Sequence, residues 1–307
     1  MNVAIFSHPD CLEHKNGSLH PDQPGRINAI FDQLIASGID PFLVHQQAPY
    51  ADDEAVTRAH CPHYLDALRT NIPTEGIVPL DGDTALSPGS LDAALRAAGA
   101  GVAGVDWVMQ GENRAAFGAV RPPGHHAGPD QPAGFCLLNN IAIAARHAQA
   151  VHQIKRIAII DFDVHHGDGT EAIVGGDEQI LFCSVFQHPF YPFTGAEEPC
   201  TNCLPVPLPA ATRGSQWREA IKAAWFAKLA EFAPQLILIS AGFDGHLEDD
   251  MGQLGLIEDD YVWLTEQLRN QALKSANGRM VSLLEGGYHP GALGRSVTAH
   301  LKCLLAI

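Results

Sequence analysis

The sequence predicts a single α/β domain, residues 1–307, built on a mostly parallel central sheet with helices on both faces. Two observations lead there. Short β-branched and aliphatic runs recur along the chain, and amphipathic segments rich in Ala and Leu, with helical spacing, separate them. Because the runs are apolar throughout, both faces of each strand are buried, as in a parallel sheet covered by crossover helices. Taken in order, the runs are Val3 to Phe6, Ala115 to Val120, Arg156 to Asp161, Gln179 to Val185, Gln235 to Ser240 and Arg279 to Leu284. The helical segments are 25–37, 88–110, 139–152, 215–232, 258–275 and 290–306. The Pro-rich stretch Leu204 to Pro209 reads as a loop, since the same alternation continues on either side of it.

Composition narrows the function. With 46% hydrophobic and 18% charged residues the chain resembles ordinary globular proteins. Its formal charge of −16 argues against sequence-independent nucleic-acid binding, which needs a basic face. The sequence holds no bilayer-length apolar stretch, and Met1 leads into Asn2-Val3-Ala4-Ile5-Phe6 without a basic region or cleavage site, so the expectation is a cytoplasmic protein with no membrane partner. The seven cysteines are an odd number, too sparse for a disulfide scaffold. Cys200 and Cys203 form a C-x-x-C pair, read as structural or incidental because two thiolates alone make an incomplete zinc site. Nothing in the sequence marks an oligomer interface.

The unusual residues fall immediately after strands. In an open parallel sheet, ligands bind beyond the carboxyl ends of the strands. There lie Arg121-Pro-Pro-Gly-His125-His126, Asp161-Phe-Asp163-Val-His165-His166-Gly-Asp168, Ser240-Ala-Gly-Phe-Asp244 and Glu285-Gly-Gly-Tyr288. If the strand stays extended through Asp161, Asp163 and His165, their i, i+2, i+4 spacing puts them on one face, able to hold a metal with Asp244. A catalytic zinc site keeps three protein ligands and an open position, so one aspartate is expected behind the ligands, and Asp161 enters from deepest in the strand. The competing structural reading makes these acids caps of the next helix. His125 and His126, in a rigid Pro-Pro-Gly turn, suit oriented general bases with Asp161 and Asp168 as the orienting acids. Tyr288, after two glycines, suits a donor to a developing oxyanion. Together these are the parts of metal-assisted hydrolysis.

The motifs Arg-Pro-Pro-Gly-His-His-Ala, Gly-Phe-Cys-Leu-Leu-Asn-Asn, Asp-Phe-Asp-Val-His-His-Gly-Asp-Gly-Thr, Ser-Ala-Gly-Phe-Asp and Glu-Gly-Gly-Tyr resemble the zinc-dependent histone deacetylase family. The likeness is closest to its class II and bacterial branch, which includes acetylpolyamine amidohydrolases and shares the arginase/deacetylase fold. It runs from His20-Pro21 to Gly294. The resemblance implies one zinc per active site on Asp163, His165 and Asp244. It implies His126 as general base oriented by Asp168, His125 with Asp161 as electrostatic partner, and Tyr288 polarising the scissile carbonyl. Gly134, Phe135 and Tyr191 resemble the acyl-lysine tunnel, with Tyr191 where the family usually has phenylalanine, and Gly287 falls beside it among the substrate-binding positions. Asp83 resembles the rim acid that holds the substrate backbone, Met251 the gatekeeper, and Arg26 the lining of an acetate-release channel. A potassium site on Asp161 and the Ser184 hydroxyl is implied as well.

The expected activity is therefore removal of acetyl or other acyl groups from lysine side chains of proteins or peptides. The alternative is an acetylpolyamine amidohydrolase, with Glu248, Asp249 and Asp250 beside Met251 as attractors for a cation. A non-catalytic acyl-binding module is disfavoured because ligands, base and tyrosine are all present. A dimanganese hydrolase is disfavoured for lack of bridging carboxylates.

Overall fold

The first apolar run becomes β1 (Asn2–Ser7), in which Val3 and Ile5 enter one hydrophobic core while Ala4 and Phe6 enter the other. That period-2 division is what covering both sheet faces demands. In this computed structural model, which describes residues 2–197 and 199–307 and leaves Met1 and Glu198 outside the description, the chain continues through α1 (Gly25–Ala36) and β2 (Leu43–Gln47). It then forms α2 (Asp53–Thr57), α3 (Pro62–Asn71), a small antiparallel pair of β3 (Val78–Pro79) and β4 (Ala85–Leu86), and α4 (Ser90–Val108). The alternation resumes with β5 (Asn113–Gly118), α5 (Asn140–Ala150), β6 (Ile157–Asp161), α6 (Asp168–Val174), β7 (Ile180–Gln187) and β8 (Cys203–Leu208). It closes with α7 (Gly214–Phe232), β9 (Leu236–Ala241), α8 (Glu258–Ser275), β10 (Met280–Leu284) and α9 (Pro290–Leu305).

The eight strands of the main sheet run in the order β2-β1-β5-β10-β9-β6-β7-β8, and every pairing is parallel. α1, α7, α8 and α9 supply the core on one face, where Trp217, Trp225 and Tyr261 are buried. α2 to α5 supply the other, dominated by small alanines of α4 and α5 that let these helices lie close to the sheet. Each of the six expected strands and helices is present, with ends displaced by a few residues.

Two departures concern the sheet edges. β2, Leu-Val-His-Gln-Gln, carries polar side chains that hide it from a hydrophobicity reading. The Leu204 to Pro209 segment, expected as a loop, is in fact mostly edge strand β8, paired with β7 from Cys203 opposite Phe182 to Leu208 opposite Gln187. Pro205 and Pro207 are compatible with that because an edge strand need not donate on its outer side. Among the described residues no helix is long and apolar enough to cross a membrane.

Candidate active site

β5, β10, β9 and β6 are consecutive in the sheet, so the loops that leave their carboxyl ends meet at one place. The geometry there differs from an extended strand. β6 ends at Asp161, and the chain then bends: the Asp163 N–H donates to Asp161 Oδ1 at 3.1 Å and the His165 N–H to Asp163 Oδ1 at 2.9 Å. The bend separates Asp161 from the other two. Asp163 and His165 converge with Asp244, from the loop after β9, and one ligand atom of each lies within 4.8 Å of the others.

These residues fit a metal. Asp244 Oδ1 accepts the Val164 N–H at 2.9 Å, while Asp244 Oδ2 is buried and makes no hydrogen bond, with His165 Nδ1 3.3 Å away. Burial and the neighbouring Asp163 carboxylate push Asp244 up to about 7, against the pull of His165. Gly286 makes the cradle possible, since a Cβ there would sit 1.9 Å from Asp244 Oδ2 and 2.6 Å from Asp163 Oδ2. Its N–H instead donates to Asp163 Oδ2 at 2.7 Å.

The tandem histidines form two distinct couples. His125 Nδ1 lies 3.0 Å from Asp161 Oδ2, and His126 Nδ1 lies 2.7 Å from Asp168 Oδ1. Burial opposes a charge on His125, but Asp161 and Asp163 outweigh it and raise its pKa well above the ordinary histidine value. His126 is lowered to about 4, by burial first and then by the charge on His125, against the pull of Asp168. One imidazole therefore stays protonated and its neighbour stays neutral, with Nδ1–H on the carboxylate and Nε2 free to accept a proton. Burial raises the Tyr288 phenol well above its usual value against the opposing Arg26, so its proton remains available to donate.

A cavity of about 270 Å³ descends to this group. It is lined by Asp83, Gly134, Phe135, Tyr191, Met251 and Tyr288 from the expected set, and ends on His125, His126 and His165. Gly134 has φ +51°, and a Cβ there would stand 2.4 Å from the His126 ring. Phe135 meets the Tyr288 ring edge-on at 5.8 Å, and Tyr191 meets His126 edge-on at 5.1 Å. Gly287 is not on the wall: its carbonyl accepts from Arg26 Nε at 2.6 Å, and its φ of +112° turns the chain behind Tyr288. Arg26 is buried, ion-paired with Asp22 at 2.9 Å, with its guanidinium 4.6 Å from the Tyr288 ring. Ser184 lies opposite Asp161 in the β6–β7 register, and its Oγ is buried without a partner.

Several working residues escape a reading of the sequence. Phe190 lines the cavity and stacks on His165 at 5.4 Å with an interplanar angle of 19°. Glu285, fully buried, accepts from Gly124 N–H at 2.6 Å, His125 N–H at 3.1 Å and Ser240 Oγ at 3.0 Å, so it anchors the histidine turn. Its position in the Glu-Gly-Gly-Tyr motif was the available signal. Asp249 is not a free rim charge as expected: it is buried and accepts from the N–H groups of Tyr288 (2.6 Å), His289 (2.9 Å) and Met251 (3.0 Å). Glu248 is likewise engaged, 2.7 Å from Arg295, which leaves Asp250 as the acid of that segment on the cavity.

The sheet order and this rim define a class by architecture, a parallel α/β domain with an acid- and histidine-lined site at the carboxyl ends of its strands. Residues 20–304 match the histone deacetylase domain, and the chain belongs to the histone deacetylase family. It is 39% identical to an uncharacterised protein of Synechocystis over 99% of both chains. It is 35% identical to the histone deacetylase-like amidohydrolase of Pseudomonas aeruginosa over 88% of this chain and 72% of that one. The crystal structure of the HDA15 HD domain superposes with a TM-score of 0.94 at 31% identity, covering 99% of this chain and 88% of that one.

Proposed function

We propose that this chain is a zinc-dependent deacylase that hydrolyses the amide of acylated lysine side chains in proteins or peptides. The observation that carries this reading is the buried Asp244 Oδ2, converging with Asp163 and His165 at the floor of an aromatic-walled cavity beside a neutral His126. Asp163, His165 and Asp244 would hold the zinc, which would supply Lewis acidity toward water and the amide carbonyl. His126 takes the proton from the attacking water at Nε2 and returns it to the departing amine, while Asp168 keeps the ring in the required tautomer. His125, charged and held by Asp161, stabilises negative charge building nearby without giving up its proton. Tyr288 donates to the carbonyl oxygen as it becomes an oxyanion. Phe135, Phe190, Tyr191 and Met251 exclude water and accept an aliphatic stem, which favours a long amine such as lysine. Asp83 at the rim offers a carboxylate to the substrate backbone, and Arg26 borders the path by which the released acid leaves. The partnerless Ser184 hydroxyl opposite Asp161 supports a structural potassium ion.

The test compares initial rates on acetyl-lysine peptides, longer acyl-lysine peptides and acetylated polyamines, before and after chelation. The expected result is the highest kcat/KM on an acyl-lysine peptide, lost on chelation and restored by zinc. A higher kcat/KM on acetylated polyamines overturns the lysine assignment, and activity indifferent to chelation overturns the metal.

A further inference from the structure

The C-x-x-C pair, incomplete as a metal site in the sequence, gains a third ligand in the fold. Cys200 and Cys203 meet Glu171 of α6, with one ligand atom of each residue within 4.8 Å of the others. None of the three lines the active-site cavity.

The cluster is built on a fixed framework. The turn closes with the Cys203 N–H on the Cys200 carbonyl at 2.9 Å. Asn202, between the two cysteines, donates to the carbonyls of Val174 (2.9 Å), Asp177 (3.2 Å) and Ile180 (2.9 Å) and accepts from the Gly176 N–H at 2.7 Å. Those bonds pin the turn against the end of α6, so both thiols are oriented before any ligand arrives. Gly175 admits the Cys200 thiol, because a Cβ there would stand 2.7 Å from Sγ. Both cysteines are free thiols. His166 is 2% exposed, and its Nε2 lies 2.8 Å from Glu171 Oε2. An imidazole behind a ligating carboxylate is the outer support that metal sites commonly carry.

We propose that Glu171, Cys200 and Cys203 form a second metal site, distinct from the active centre, for a thiophilic divalent cation such as zinc. Two sulfurs select a soft or borderline ion over magnesium or calcium, and water completes a tetrahedron. Binding is a proton exchange: each thiol loses its proton as its sulfur bonds the metal, while the carboxylate is already ionised. The site ties the loop that carries Phe190 and Tyr191, and the start of β8, to α6, whose first residue is Asp168, the partner of His126. Metal there braces one tunnel wall and the base couple together.

The experiment uses cobalt as the probe and the full chain with its thiols reduced. Asp244→Ala disables the active centre, whose donors include no sulfur. That variant is expected to take up about one equivalent of Co2+, releasing about two protons and developing a sulfur-to-cobalt charge-transfer absorption. Adding Cys200→Ser, a half-buried position, is expected to abolish the absorption and the uptake. In the chain that keeps Asp244, Cys200→Ser is expected to lower metal content from about two equivalents to about one, a readout that does not depend on Asp244→Ala folding. No sulfur absorption with Cys200 present, or an absorption that survives Cys200→Ser, overturns the proposal. Neither result touches the zinc reading of the active centre, which chelation and kinetics test separately.

Discussion

Asp168 Oδ1 lies 2.7 Å from His126 Nδ1, and Asp168 is the first residue of α6, so the helix start and the imidazole are fixed to each other. The equivalent couple one residue earlier, His125 with Asp161, is anchored in β6 and fully enclosed. Asp161 and Asp163 together favour a charged His125, whereas burial and that charge favour a neutral His126, and the kinetic consequences follow from the contrast.

His126→Ala is expected to lower kcat by about a hundredfold or more with little change in KM, since a base acts mainly in the transition state. His125→Ala should also damage turnover, but with altered metal affinity, because it removes the cation facing Asp161 and Asp163. Steady-state kinetics with metal analysis separates the two, and small, equal effects on kcat would exclude both roles.

Tyr288→Phe keeps the ring that packs on Phe135 and faces Arg26 while deleting the donor. Zinc content and fold should survive while kcat falls by about a hundredfold or more, the cost of losing one oxyanion donor. A variant within about threefold of the parent, under about 1 kcal/mol in barrier, would show that Tyr288 only packs.

Asp22 is fully buried between Arg121, at 2.7 Å and 2.9 Å, and Arg26, at 2.9 Å. Asp22→Ala strands two guanidinium groups in the interior and should cost about 3–5 kcal/mol of stability in urea unfolding. Arg26 keeps its bonds to the Gly287 and Glu285 carbonyls, so it stays beside Tyr288 and the loss should appear in stability more than in kcat. A loss below about 1 kcal/mol would mean the pair contributes only at surface strength.

His300 is enclosed between Thr265 Oγ1 (2.7 Å) and Ser282 Oγ (2.9 Å), and burial lowers its pKa from 6.5 to about 3. The unfolded chain therefore takes up this proton first. Its contribution is whole above pH 6.5 and is lost as pH falls from there toward about 3, with a slope approaching about 1.4 kcal/mol per pH unit. His300→Gln should flatten the acid limb of stability measured by denaturant unfolding across that range. An unchanged slope would assign the acid sensitivity to other groups.

Much of this molecule is local and therefore written in the sequence. Strand and helix periodicity depends on neighbours a few residues apart, so Arg156 to Asp161 and 258–275 are visible in one dimension. That the motifs converge was legible for the same reason: each follows directly on a strand, and parallel strands deliver their carboxyl ends to a common rim. Three things depended on long-range pairing. That β5, β10, β9 and β6 are neighbours was decided by the packed sheet, and so was the bend after Asp161 that sends it to His125 and not to the metal group. Edge strands β2 and β8 bury too little apolar surface, or carry too much proline, to show a strand pattern of their own, and pairing with β1 and β7 forms them. Asp22 and Asp249 look like any other acids in the sequence, and the Glu-Gly-Gly-Tyr motif marks Glu285 without telling what it holds. Only when folding buries each beside distant donors does its role become fixed, because a buried carboxylate must find partners and those partners arrive from elsewhere in the chain. Glu171 and Cys200, with the whole of β7 between them in the sequence, meet by the same kind of long-range contact.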